Sequence, residues 1–332
     1  MNPTINDVAK LANTSKSTVS RFLNGKRVRK DTEAALKQAI EELNFHINVN
    51  ARRLVLNRTQ TIAVVLDDIT NSFYSKIIRG IEQVVSKHGY NCMYLSCTTH
   101  YRDELTFLNM FREGQVDGII FVSFQKRSPE TLRQLRDCGY PVSLVGDCAG
   151  EKGIFAVDVD NSAGIKELVS YLHRIGHERI AYISGPSTSS ATHARYEGYR
   201  DRLRELGLDF RTEWVVESEW SNEGGYRAME KLLSVGGFTA VVGSNDAQAM
   251  GALRAAQERG YQVPRDFSVA GFDDIPAAGW VYPPLTTIRQ PFIQIGIKAA
   301  AGLFEMLEAN ETDHCSHLLQ PELIIRQSCS AI

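Results

Sequence analysis

From Thr61 onward the chain alternates two kinds of segment, and this alternation restricts its fold more than any other feature. Ile62-Ala63-Val64-Val65-Leu66 is an apolar run of the type that forms a strand buried on both faces, and the amphipathic stretch 72–88 follows it. The pattern continues with a strand over Asn91–Cys97, a helix over 102–113, a strand at Gly118–Val122, a helix over 129–138 and a strand at Val142–Val145. It resumes with helix 161–175, strand Ile180–Ser184, helix 191–206, strand Trp214–Val216, helix 222–234, strand Ala240–Gly243, helix 246–259 and strand Ser268–Gly271. Repeated strand–helix units predict parallel sheets flanked by helices, an α/β fold. There are too many units for one comfortable sheet, so two similar lobes are expected.

Open parallel sheets take ligands beyond the carboxyl ends of their strands, and between two lobes that place is a cleft. The residues just after the strands are Asp67, Asp68, Asp147, the loop Gly185–Ser190, Asn245, Asp246, Asp273 and Asp274. They are mainly carboxylates and amides. With Arg195 and Trp220 they suit a hydroxyl-rich ligand, whose hydroxyls need polar partners and whose ring an aromatic face covers. An aspartate also caps helices, so each one alone has a structural alternative.

The first 46 residues follow a different pattern. Ile5, Val8, Ala9 and Ala12 recur at helical spacing, giving a first helix over about 5–12. Thr14 or Ser15 can cap a second helix with Val19, Phe22 and Leu23 on one face, and Asn24-Gly25 stops it. Asp31 or Thr32 can cap a third, with Leu36, Ala39, Ile40 and Leu43 on its inner stripe. Two short helices around a three-residue turn, with a third as support, form a helix-turn-helix, whose second helix enters the major groove of DNA. Lys16, Ser17 and Arg21 lie opposite the apolar face of that helix, where they meet base edges. A small helical bundle with solvated charges is the alternative.

Charge points the same way without deciding it. Residues 1–60 hold eleven Lys and Arg against five acids, while the remainder holds 26 basic against 34 acidic residues. A basic head on an acidic body suggests a nucleic-acid-binding module joined to something else. Between them, Asn48–Leu56 spans about two helical turns, too short to be stable alone in water. Arg52 and Arg53 would attract phosphate there, and Leu54 is the kind of side chain that wedges between base steps in a minor groove. A plain linker, or a helix packed on the body, reads the same residues differently.

Other classes fit less well. No apolar run approaches the ~18–20 residues of a membrane helix. Met1–Lys10 is polar, unlike an export signal, so a cytoplasmic protein with no membrane partner is expected. The six cysteines form no CxxC pair, and Asp313-His314-Cys315-Ser316-His317 lacks a second cluster, so no metal site and no cofactor is expected. An exported sugar-binding protein of the same two-lobed architecture would lack the basic head. An enzyme would be expected to show a GxGxxG, P-loop, GxSxG or HExxH motif, and none is present.

Thr4-Ile5-Asn6-Asp7-Val8-Ala9-Lys10-Leu11-Ala12, with Ser15-Lys16-Ser17-Thr18-Val19-Ser20-Arg21-Phe22-Leu23-Asn24, resembles the head of the lactose/galactose repressor (LacI/GalR) family of bacterial transcription regulators. The resemblance continues through Asp158-Val159-Asp160-Asn161, Gly185-Pro186, Arg195-x-x-Gly198-Tyr199, Ser244-Asn245-Asp246, Gly271-Phe272-Asp273-Asp274 and Pro284–Gln290 to Glu322–Arg326. It implies a helix-turn-helix head at 1–46, a hinge helix and linker at 47–60, and a periplasmic-binding-protein-like core at 61–332 for effector binding and dimerisation. The core would divide into an N-lobe, about 61–159 and 291–318, and a C-lobe, about 160–290 and 319–330.

The resemblance implies that Lys16, Ser17 and Arg21 read a pseudo-palindromic operator, with Thr4, Ser15, Thr18 and Asn24 near phosphates. Asn48, Ala51, Arg52 and Leu54 would be the hinge contacts. Ile47 departs from the usual proline and Leu56 from a smaller or polar residue, which bears on how readily the hinge folds without DNA. The implied effector contacts are Phe73, Asp147, Arg195, Trp220, Asn245, Asp273 and Gln290, for a sugar, a sugar acid or a sugar phosphate. A homodimeric repressor of a carbohydrate-utilisation operon is implied. Some members answer to a phosphocarrier co-regulator, which no residue here marks. Whether the effector releases the protein from DNA or promotes binding stays open.

Overall fold

The computed structural model describes residues 3–23, 26–46, 58–97, 104–146, 153–308 and 316–332. They form two compact units, which divide between Thr59 and Gln60.

The first unit contains α1 (Ile5–Leu11), α2 (Lys16–Leu23) and α3 (Lys30–Glu42). Val8, Val19 and Leu36 are fully buried and share a core with Ala9, Ala12 and Ala39. Each such Val or Leu contributes about 1.5–3 kcal/mol. The Asp7 carboxylate reaches back to accept from Thr4 N (2.8 Å) and Thr4 Oγ1 (2.7 Å), fixing the start of α1. Of the two candidate caps on α2, Ser15 serves: its Oγ accepts from Thr18 N at 3.1 Å. The third helix begins earlier than expected, at Lys30 behind Arg29, whose side chain makes no capping bond. Asp31 therefore sits in the first turn, where its negative charge offsets the helix dipole, and does not act as the cap.

The second unit runs β1 (Thr61–Leu66), α4 (Ser75–Val85), β2 (Asn91–Ser96), α5 (Glu104–Phe107), α6 (Asn109–Arg112), β3 (Gly118–Val122), α7 (Pro129–Asp137), β4 (Val142–Val145), β5 (Phe155–Val159), α8 (Asn161–Arg174), β6 (Ile180–Ser184), α9 (Ser190–Glu205), β7 (Val215–Glu217), α10 (Asn222–Val235), β8 (Ala240–Gly243), α11 (Asp246–Glu258), β9 (Ser268–Asp273), β10 (Thr286–Arg289), α12 (Phe292–Glu308), β11 (Ser316–Leu319) and β12 (Glu322–Ile324). The strands form two six-stranded sheets, ordered β11-β5-β4-β3-β1-β2 and β12-β10-β9-β8-β6-β7. All pairs are parallel except β10 with β12. Strand order and burial agree with the expected doubly flanked lobes. Strand β1, apolar from Ile62 onward, is for example buried along its whole length between β2 and β3.

The chain passes between the sheets three times: from Val159 to Asn161, from Arg289 to Phe292, and from Leu319 to Glu322. These crossings give the first sheet elements that the alternating pattern does not reveal. Strand β5 carries Asp158 within its short apolar run. Helix α12 is apolar over most of its circumference, with only a narrow polar stripe of Gln294, Lys298, Glu305 and Glu308. Its Ile295, Ala299 and Leu303 join Ile62, Val64 and Ile120 in one core. It lies backbone to backbone against α4: a Cβ at Gly80 would stand 2.2 Å from Ile293 O, and one at Gly296 2.1 Å from Ile77 O. The single helix expected over 102–113 is instead two short helices, α5 and α6, interrupted at Leu108, with 98–103 outside the described residues.

Candidate functional site

Two surfaces draw together residues that the sequence singles out. On α2, Val19 is buried while Lys16, Ser17 and Arg21 are exposed on the outer side. Neither Lys16 nor Arg21 has an ion-pair partner among the described residues. Ser15 Oγ lies 2.8 Å from both Ser17 Oγ and Thr18 Oγ1, a hydroxyl cluster at the start of the helix. The helix thus presents two cations and several hydroxyls on one face, the donor set that meets guanine edges and phosphates. Asn24, Asn48, Ala51, Arg52 and Leu54, with Ile47 and Leu56, lie outside the described residues.

The second surface is a cavity in the larger unit. Phe73, Arg195, Trp220, Asn245 and Asp273 line it together with Tyr74, Phe124, Ala191 and Ile275. Phe73 meets Tyr74, Phe124 and Phe292 edge-on, with ring centroids 5.1, 5.4 and 4.8 Å apart, so the first lobe supplies an aromatic wall. The second lobe supplies the polar floor. The free volume is about 70 Å³, a narrow space between the lobes. Gln290 lies behind the floor, and Asp147 lies outside the described residues.

Arg195 is buried on α9, and its guanidinium is held from several sides. Nε donates to Asn161 Oδ1 (2.8 Å), Nη1 to Ser244 O (2.6 Å) and Nη2 to Asp273 Oδ1 (3.4 Å). The group sits over the Phe272 ring, 3.8 Å from its centroid. Asp273 Oδ1 also accepts from Gln290 Nε2 at 2.7 Å. Burial pushes the Asp273 carboxyl up to about 6, with Arg195 and Gln290 opposing the rise. Asp273 and Asp274 hold φ at +118° and +56°, a conformation that non-glycine residues adopt at a cost and that concentrates at functional sites.

Two further polar groups face the cavity. Asn245 Oδ1 caps α11 by accepting from Gln248 N (2.8 Å), which leaves its amide nitrogen as a donor. The Trp220 Nε1 hydrogen is buried and has no acceptor among the described residues. Gly185 permits that indole position: a Cβ there would stand 1.9 Å from Trp220 Nε1.

The remaining post-strand residues are structural. Asp67 accepts from Tyr74 Oη (3.1 Å) and Phe124 N (3.2 Å), bracing the aromatic wall. Asp68 closes a turn with Thr70. Asp246 accepts from Ile275 N (2.9 Å) and bonds Thr287 Oγ1 (2.5 Å), while burial and the neighbouring Asp273 push its carboxyl well up. Asp274 pairs with Arg289 (2.7 Å) and Arg326 (2.6 Å), which overcome burial and hold its carboxyl below the usual range. In the loop after β6, Ser189 Oγ donates to Phe124 O (2.8 Å) and Lys126 N donates to Thr188 O (3.0 Å), so this loop joins the lobes. A search for polar post-strand residues misses Phe124, which follows β3 but is apolar. It also misses Asn161, because β5, with Asp158 inside it, does not read as a strand and the residue two places beyond it is not flagged.

The head matches the model for bacterial regulatory proteins of the lacI family over residues 4–48, and residues 169–329 match the periplasmic binding protein-like domain. The repressor CytR of Escherichia coli strain K12 is 33% identical over 331 residues, covering 99% of this chain and 97% of that one. The chain belongs to the lacI family. The crystal structure of the lac repressor dimer bound to operator and the anti-inducer ONPF covers 100% of both chains with a TM-score of 0.89 at 24% identity, which shows the shared fold. The complex of the transcriptional regulator CelR with cellobiose aligns at a TM-score of 0.74 and 30% identity, covering 98% of this chain and 99% of that one. This lacI-family chain is a helix-turn-helix transcription regulator whose α/β core is of the effector-binding type. Among the described residues, no helix is long and apolar enough to cross a membrane.

Proposed function

We propose that this lacI-family protein is a cytoplasmic, non-enzymatic homodimeric repressor of carbohydrate-utilisation genes, whose operator affinity is set by a small hydroxylated effector between its lobes. On this reading Lys16, Ser17 and Arg21 read bases. Thr4, Ser15, Thr18 and Asn24 face phosphates, and Asn48, Ala51, Arg52 and Leu54 form the hinge contacts. The effector is held by Phe73, Asp147, Arg195, Trp220, Asn245, Asp273 and Gln290, the last acting through Asp273.

One observation carries the reading: Arg195, Asp273, Asn245 and the Trp220 indole N–H converge on one cavity under an aromatic wall. A hydroxyl both donates and accepts, and a neighbouring guanidinium and carboxylate serve it in both senses. The Arg195 charge is already balanced by Asp273, so the floor offers no free cation among its described residues for a carboxylate or phosphate. This favours a neutral sugar over a sugar acid or sugar phosphate.

A panel of neutral pentoses, hexoses and disaccharides, with their acids and phosphates, tests the proposal. A neutral member should raise the melting temperature and change affinity for a DNA site selected from a random pool. Salt-independent or absent DNA binding would sink the regulator reading, since phosphate contacts make such binding salt-dependent. A response to phosphates alone would reject the neutral effector.

A further inference from the structure

We infer that Asn161 is the residue that couples effector occupancy to the inter-lobe hinge. The inference rests on the effector site proposed above and deepens it. Asn161 is buried and does not line the cavity. It stands in the first crossing between the lobes, at the start of α8. Its amide bonds in two directions: Nδ2 donates to Val159 O (3.1 Å), the last residue of β5 in the first sheet, and Oδ1 accepts from Arg195 Nε (2.8 Å). One planar group therefore ties the cavity-floor guanidinium to the backbone of the opposite lobe.

The second crossing is tied to the same floor. Gln290 lies between β10 and α12, and its Nε2 donates to the Asp273 oxygen that Arg195 approaches. The third crossing abuts it through packing. The Phe272 ring beneath Arg195 closes on Gly164 of α8, where a Cβ would stand 2.8 Å from Phe272 and 3.0 Å from Pro321. At the first crossing Asp160 N also donates to Leu319 O (2.9 Å). The Arg195–Asp273 pair is thus bonded to two crossings and packed against the third.

An effector that pulls Arg195 by a few tenths of an ångström either lengthens its hydrogen bond to Asn161 or, through the Asn161 amide, turns the Val159 carbonyl. Packed cores switch between discrete arrangements and do not deform continuously, so the second course shifts the lobe angle. Asn161 is the most direct of these links, because its two bonds share one rigid amide and it touches Arg195 itself. It acts through Arg195 and is a positioning residue.

Asn161→Asp keeps an acceptor for Arg195 and loses the donor to Val159. Asn161→Ser is a smaller, uncharged alternative should the aspartate fail to fold. The probe is whichever neutral sugar of the panel above most changes the wild-type Kd for the selected DNA. Two constants are measured on the full chain: the sugar Kd, and the DNA Kd with and without that sugar.

The expected result is a sugar Kd within about threefold of wild type, with the DNA response collapsing from the ~5–150-fold typical of allosteric coupling toward 1. By linkage, the sugar Kd on free and DNA-bound protein should converge to the same degree. A purely structural role would lower stability and leave the response ratio unchanged, and that outcome overturns the inference. Loss of sugar binding in both variants overturns it as well, because Asn161 would then belong to the binding site. If no panel sugar alters wild-type DNA affinity, the effector reading itself fails and the inference falls with it.

Discussion

The Arg195 guanidinium stands over the Phe272 ring at 3.8 Å from its centroid, so it is fixed in position by an aromatic face as well as by its hydrogen bonds. A lysine at that position would keep the charge but could not span Asn161, Ser244 and Asp273 together. Arg195→Lys should therefore weaken sugar binding by roughly 10–150-fold, the 1.5–3 kcal/mol of hydrogen bonds to a charged group. DNA affinity without sugar should stay near wild type. Titration calorimetry with the panel sugar, beside a DNA-binding assay, checks both. A surviving DNA response to sugar would show that the pocket lies elsewhere.

The raised pKa of Asp273 predicts a pH dependence with opposite signs for binding and stability. As pH falls through about 6, Asp273 takes up a proton, stops balancing Arg195 and becomes a poorer acceptor. Sugar affinity should therefore fall between pH 7.5 and 5. Folding raises this acid's pKa, so its contribution to stability is present below its unfolded value near 4 and is lost as pH rises through about 6. Asp273→Asn should flatten the affinity profile and remove this component from the wild-type-minus-variant stability curve. An unchanged affinity profile in the variant would assign the titration to another group.

Much of this architecture is legible in the chain itself, for a definable reason. Ile62–Leu66 and Gly118–Val122 are buried on both faces, so the residues must be continuously apolar and the runs stand out. Helix α12 is less legible: most of its circumference is apolar, and its polar face is the narrow stripe Gln294, Lys298, Glu305 and Glu308. Of the cavity residues, Asp273 and Asn245 are visible because they stand at strand ends, Asp273 as the last residue of β9 and Asn245 two residues after β8. Arg195 and Trp220 are suggestive only as residue types until the fold of the second lobe brings them together. Asn161 is invisible as a linker, because its bond to Val159 is local and its bond to Arg195, 34 residues on, is a tertiary contact that no local pattern records.

The exposed face of α2 predicts separable roles for its cations. If Arg21 makes a bidentate contact with a base, Arg21→Ala should cost about 1–3 kcal/mol and relax selectivity at one position of the selected site. If Lys16 contacts phosphate, Lys16→Ala should weaken all sequences alike and reduce the slope of log K against log salt by about 1. Binding measured over a salt series on selected and scrambled duplexes separates these results. Identical behaviour of the two variants would reject the division of labour.

Trp280 and Tyr282 are 90% and 84% exposed, unusual for aromatic side chains, and they neighbour a groove lined by Tyr226, Met250 and Leu253. Burial against a second copy would remove this apolar surface from water. Trp280→Glu with Tyr282→Asp should raise the dimer dissociation constant by at least about 30-fold, the effect of losing one strong interface residue. Sedimentation equilibrium checks this. A dimer as tight as wild type would place the interface on another face.

Gly185 and Trp220 make the most local prediction. An added methyl group at 185 would stand 1.9 Å from Trp220 Nε1 and 2.6 Å from Thr192 Oγ1, so the indole must swing out of the cavity. Gly185→Ala should cost about 1–3 kcal/mol of stability through overpacking. It should also weaken sugar binding at least tenfold, because ring cover and the indole donor are lost together. Trp220→Phe keeps a smaller aromatic face in place and removes the fused pyrrole ring with its N–H, so its loss should be smaller, with the N–H accounting for about 0.5–1.5 kcal/mol or roughly two- to tenfold as one neutral hydrogen bond. Melting curves and calorimetry on both variants test the order. If Trp220→Phe is as damaging as Gly185→Ala, the pyrrole half of the indole with its N–H carries the interaction; if it is silent, an aromatic face alone suffices.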